Sequence, residues 1–184
     1  TENGTLNVTQ SLKTTPGAEM PEMMRFGMVM NLPYAMDQAE WYGRGPVENY
    51  SDRKLSQNVG IYKATADQLF YPYVRPQETG TMSDLRWWNI KDNNGFGLRI
   101  ESDALFSASA LHYDLYTLDE GKEKNQRHSQ SLPKSQYTNL FIDLVQAGVG
   151  GVDSWSDWGR ARKGHRVEYK DYTFSFRISP KTLY

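Results

Sequence analysis

The chain has 184 residues, of which 38% are hydrophobic and 23% charged, enough for one domain with a real core and too apolar for disorder. Its 21 basic and 22 acidic side chains are interspersed and leave a net charge of -1, so there is no electrostatic footprint for nucleic acid or for an anionic membrane. No run approaches the roughly 18 apolar residues of a membrane helix, and with no cysteine there is neither a disulfide framework nor a thiolate metal site.

Period-two alternation, the mark of a half-buried strand, recurs along the chain. A first strand is expected around Leu6 to Leu12, almost at Thr1. From that position we expect a piece cut from a larger module, lacking its opening strands and with sheet edges open to association. Pro16-Gly17 marks a turn. Phe26, Met28, Met30 and Leu32 then alternate with Gly27, Val29 and Asn31. Asp92-Asn93-Asn94-Gly95 is too short for a calcium loop and lacks the closing Glu, which leaves a hairpin turn. Phe96, Leu98 and Ile100 form the next stripe. Thr117 to Glu120 has capping-box spacing, but Gly121 to Gln130 is polar all round, so a helix there is short and solvated and ends before Pro133. Leu140, Ile142 and Leu144 follow, and then Tyr172, Phe174, Phe176 and Ile178, ending at Pro180. Without repeats or linkers, residues 1–184 read as a single all-β domain of two packed sheets.

Aromatic residues reach 13%, including 5 Trp and 12 Tyr. Such rings suit either a sheet-rich core or a surface on which sugar rings stack. The three histidines lack metal-ligand spacing: His112 is expected in a strand, His128 in solvent and His165 in a loop. Asn7-Val8-Thr9 and Asn49-Tyr50-Ser51 match the glycosylation pattern, which arises often by chance.

Three segments carry more information. In Trp41-Tyr42-Gly43-Arg44-Gly45-Pro46-Val47-Glu48-Asn49-Tyr50-Ser51-Asp52-Arg53, a strand runs into a tight corner. Gly43 and Gly45 are expected to supply turn angles, and Glu48, Asp52 and Arg53 an ion-paired knot beneath Tyr50. In Tyr71-Pro72-Tyr73-Val74-Arg75-Pro76-Gln77-Glu78-Thr79-Gly80, the prolines impose extended backbone, and Arg75 and Glu78 can either pair or face a ligand. Gln146 to Ser156 (QAGVGGVDSWS) is a glycine-rich turn leading to Trp155. It can form an anion-binding nest, but no helix pattern follows to make it a phosphate loop. By its residues alone, Trp155 is either a core ring at a sheet end or an aimed surface ring.

These strings, with Arg86-Trp87-Trp88 after the second, resemble the C-terminal small-chain domain of glycoside hydrolase family 2 β-galactosidases, from about Leu6 to the C-terminus. The resemblance implies a galactose mutarotase-like supersandwich of two antiparallel sheets. It implies a largely architectural first motif, and a parent enzyme that hydrolyses terminal β-D-galactosyl bonds with retention. The family's two catalytic carboxylates and its Mg and Na ligands lie in a barrel domain, so no catalytic residue and no cofactor are expected here. The expected substrate-binding residue is Trp155, an apolar platform for a β-galactoside or galactose at the shared active site, with Asp153 and Ser154 supporting its loop. Asp157-Trp158-Gly159-Arg160 departs from the family's usual Pro, and Trp158 receives no role. The expected partners are the parent's remaining domains and a homo-oligomer, in a soluble bacterial protein of cytoplasm or periplasm. The rival readings are an independent sugar-binding or mutarotase-like module and a purely structural spacer. Mutarotation needs an acid facing a base across the sugar, and Glu78 and the histidines have no spacing that demands it.

Overall fold

A computed structural model describes residues 4–119, 128–153 and 156–182. The strands are β1 (Leu6–Leu12), β2 (Arg25–Pro33), β3 (Gln38–Gly45), β4 (Asn58–Thr65), β5 (Met82–Lys91), β6 (Phe96–Leu111), β7 (Tyr137–Gln146) and β8 (Tyr172–Thr182). All pairings between them are antiparallel. Along one path the order is β1-β8-β6-β5-β3-β4, while β7 joins β6 and carries β2. The chain is therefore all-β, as its alternation implies.

The length of β6 makes the sandwich. Its first part, Phe96 to Glu101, pairs with β8, and its last part, Ser107 to Leu111, pairs with β7. β5 runs along the other flank. All eight strands belong to one sheet, which forks at that point along β6. Phe26 of β2 stacks on Tyr172 of β8, with ring centres 5.5 Å apart. Phe106, in the fork, meets Phe174 at 6.5 Å.

Alternation explains which faces meet. On β8, Phe174, Phe176 and Ile178 are buried while Thr173, Ser175 and Arg177 are exposed. The strand runs on through Pro180 to Thr182, past the residue where the alternation was expected to stop. Trp41 of β3 lies opposite Trp88 of β5, and the two fully buried indoles stack at 5.3 Å. Such a pair contributes about 1 kcal/mol beyond its buried area. Much of the aromatic content thus builds the core. Trp87 is half-buried with the Arg99 guanidinium 4.5 Å over its ring, and Trp158 is 72% exposed.

Helix is confined to short pieces. α1 (Ala66–Leu69) has a complete capping box: the Thr65 side chain accepts from Gln68 N, and the Gln68 side chain accepts from Thr65 N. The sequence reading missed it, because four residues give no apolar period. α2 (Leu115–Leu118) begins before the expected box, since the Asp114 carboxylate caps it by accepting from Thr117 N at 2.8 Å. The charged carboxylate outcompetes the Thr117 hydroxyl, which instead donates to it. Glu120 lies outside the described residues. The hairpin between β5 and β6 is as read: Asp92 Oδ1 accepts from Asn94 N and Phe96 N, and Gly95 takes a φ of 82°. Among the described residues, no helix is long and apolar enough to cross a membrane.

Candidate functional site

At the end of β3 the first motif turns into a corner. Gly43 and Gly45 do not supply turn angles: both lie within β3, and neither has a positive φ. They are small for lack of space. A Cβ at Gly43 would sit 2.5 Å from Leu85 Cδ2, and one at Gly45 would sit 2.8 Å from Tyr62 Cδ2. Asn49 is fully buried; its Oδ1 accepts from Ser83 N at 3.0 Å and its Nδ2 donates to Val47 O at 3.0 Å. That placement removes it as a glycosylation acceptor, whereas Asn7 is exposed on β1.

Glu48 is the centre of the corner. Its buried carboxylate accepts from Arg53 Nη2 and from the Tyr73 hydroxyl. It also accepts from Gly80 N at 2.6 Å and from Thr79 Oγ1 at 3.3 Å. The Tyr50 hydroxyl lies 3.4 Å from both Glu48 and Glu78. Burial, reinforced by those two carboxylates, pushes the Tyr50 hydroxyl well above its ordinary range, so it stays a donor. The expected knot of Glu48 and Arg53 is present, but Asp52 is not in it. Asp52 faces the opposite way.

Glu78 does not pair with Arg75, which is exposed on the proline-framed segment. Its partner is Arg25 of β2, with Nη1 at 3.4 Å, and Thr81 Oγ1 donates to it at 3.0 Å. Arg25 Nη2 also lies 2.9 Å from Asp143 Oδ2, without the alignment of a hydrogen bond. Desolvation pushes Asp143 up to about 6; Arg25 opposes the rise and Glu78 adds to it. A register shift between Phe26 and Gly27 puts a bulge in the β2–β7 ladder beside this pair.

The glycine-rich loop leaves β7 alongside the corner. Its backbone is tied by Ala147 N to Met24 O at 2.8 Å, by Gly148 N to His165 O at 2.7 Å, and by Val152 N to Trp158 O at 2.8 Å. Asp52 closes it from the side: Oδ1 accepts from Val149 N at 3.2 Å and Oδ2 from Gly150 N at 2.8 Å. A Cβ at Gly148 would overlap that carboxylate. The nest read from the glycines is thus occupied by an anion of the same chain. Beyond it, Asp153 accepts from Ser156 N at 3.0 Å and from Ser156 Oγ at 2.7 Å, bridging the next two residues. Those residues, Ser154 and Trp155, lie outside the described residues, so the expected platform and one of its two supports are not placed.

The corner's carboxylates are occupied by donors of the same chain. His112, one residue past β6, is buried between Asp67 Oδ1 at 3.0 Å and Tyr34 O at 3.3 Å. His128 is exposed with Nδ1 3.0 Å from Val74 O, and His165 ends a 3-10 turn. Among the described residues, no His, Asp and Glu side chains gather in threes to hold a metal. Sequence reasoning missed Arg25, Tyr73 and Asp143 at this site. The glycine-rich run marked the loop as able to take an anion, but nothing in the sequence named Asp52 as that anion.

Comparison with known proteins agrees with the three motifs. The family model described as β-galactosidase small chain matches residues 1–178. A β-galactosidase of Priestia megaterium is 33% identical over 97% of the chain, and one of Staphylococcus xylosus is 31% identical over 96%. The β-galactosidase BgaC of Bifidobacterium adolescentis is 36% identical over 74% of the chain. The chain spans only 16%, 17% and 13% of the length of these relatives, respectively. With the family model matching nearly the whole of it, this chain belongs to the β-galactosidase small-chain family.

Proposed function

We propose that the chain is a non-catalytic domain of a retaining β-galactosidase, where it scaffolds the enzyme and supplies the Trp155 ring to a sugar site shared with the other domains. The observation that carries this reading is the pairing of family membership with small coverage of the relatives, which leaves most of such an enzyme outside this chain. The anchored loop at 147–153 supports it, because a ring used for binding gains from a loop whose place is fixed beforehand. Trp155 would add apolar area against one face of the sugar, and the metals of the parent's chemistry would be held by other domains.

The test has two arms. The purified chain should not hydrolyse a β-galactoside, and robust turnover by it would overturn the reading. In the full-length enzyme, Trp155→Ala should raise KM about tenfold, a loss of about 1.4 kcal/mol in sugar binding. A fall in Tm with unchanged KM would instead make the ring structural.

A further inference from the structure

Asp52 stands apart from the rest of its motif. Its neighbours Glu48, Tyr50 and Arg53 turn inward to one buried cluster. Asp52 reaches a loop 97 residues later in the chain and gives one carboxylate oxygen to each of two consecutive amides. Two amides converging on one carboxylate form an anion-binding concavity, and charge-assisted bonds of this kind are the stronger ones. The loop is shaped to receive the group, because a side chain at Gly148 would collide with it. Among the described residues Asp52 makes no ion pair, so its carboxylate is committed to the loop.

The turn that carries Asp52 is itself held. Tyr50 and Arg53 bridge their backbones around it, with Arg53 N donating to Tyr50 O at 2.9 Å, and Arg53 is tied to Glu48. The loop's ties through Ala147 N, Gly148 N and Val152 N join backbone to backbone, and the Asp153 carboxylate bonds to Ser156 a few residues on. Asp52 is therefore the anchor that a substitution can remove without altering the loop's own chain.

We propose that Asp52 is a positioning residue for sugar binding: it fixes the 148–153 loop against the corner, through its bonds to the Val149 and Gly150 amides. The proposal rests on the reading that Trp155 contributes to the sugar site. The experiment is a double-variant cycle in the full-length enzyme with Asp52→Ala and Trp155→Ala, reading kcat and KM for a β-galactoside, with hydrogen exchange at the Val149 and Gly150 amides. Asp52→Ala should speed exchange at both amides and raise KM about fivefold with the ring present. In the Trp155→Ala background the same change should alter KM less than twofold. Asp52→Asn, which keeps one acceptor, should fall between wild type and Asp52→Ala.

Unchanged exchange in Asp52→Ala would overturn the positioning role whatever Trp155 does. Equal KM effects in both backgrounds would show that Asp52 acts by another route. Faster exchange with KM unmoved by either substitution would instead sink the sugar-site reading, and this role with it.

Discussion

Glu48 and Asp52 lie four residues apart in one motif, and they serve opposite ends of it. Glu48 is 8% exposed and gathers donors from the corner, from Tyr73 and from the Thr79-Gly80 backbone. Asp52 is half-buried and makes its bonds to amides of a distant surface loop. The same carboxylate chemistry stabilises the fold in one place and sets local geometry in the other. Burial decides between the two outcomes. A buried acceptor that disappears strands its donors away from water, whereas water can replace an acceptor at the surface.

The largest expected effect tests the inner half of that contrast. Glu48→Ala leaves Gly80 N and the Tyr73 hydroxyl short of an acceptor and the Arg53 guanidinium without its carboxylate, and should cost about 3 kcal/mol in urea unfolding of the chain. A loss below about 1 kcal/mol would mean that water replaces the carboxylate, and that the corner is wetter than its burial implies.

The second effect comes from Asp143, on the Arg25 side of the cluster. Its folded value of about 6 lies above the reference of 3.8, so the folded chain binds this proton more tightly than the unfolded one. Its contribution is full below about pH 4 and is lost as pH rises through 6. Between pH 4 and 7 the stability of wild type relative to Asp143→Asn should fall by roughly 2 kcal/mol. A flat difference would show that Arg25 neutralises the carboxylate completely. The smallest effect belongs to the outer half: Asp52→Ala should cost under about 1 kcal/mol in the same urea experiment, while loosening the loop. A cost equal to that of Glu48→Ala would erase the contrast.

How much of this the sequence revealed depended on distance along the chain. The strands were legible because alternation is local: Phe26 to Leu32 and Tyr172 to Ile178 announce one buried face each. The bond between Glu48 and Arg53 was legible for the same reason, since five residues around a corner can meet. The Asp52 clamp was not, because nothing in residues 41–53 says that a loop 97 residues later lies beside them. Arg25, Glu78 and Asp143 come from three separate segments, and Arg75, next door to Glu78, was the natural wrong partner. Gly43 and Gly45 misled in another way. A glycine can be small for the sake of its neighbours, and the Leu85 and Tyr62 side chains that demand it are far away in sequence.

The pairing of β1 with β8 has a consequence for how the molecule is made. Leu6 lies opposite Ile178, so the first strand finds its partner only in the last stretch of the chain. During synthesis at about 5–20 residues per second, β1 waits on the order of ten seconds or more for β8 to emerge. β8 also pairs with the first part of β6, at which the sheet forks. Such distant closure favours slow folding in which the β1–β8 pairing comes late. For that interval Leu6 to Leu12 is without its β8 partner. Its alternation of Asn7, Thr9 and Ser11 with Leu6, Val8, Gln10 and Leu12 keeps one edge-strand face polar while it waits.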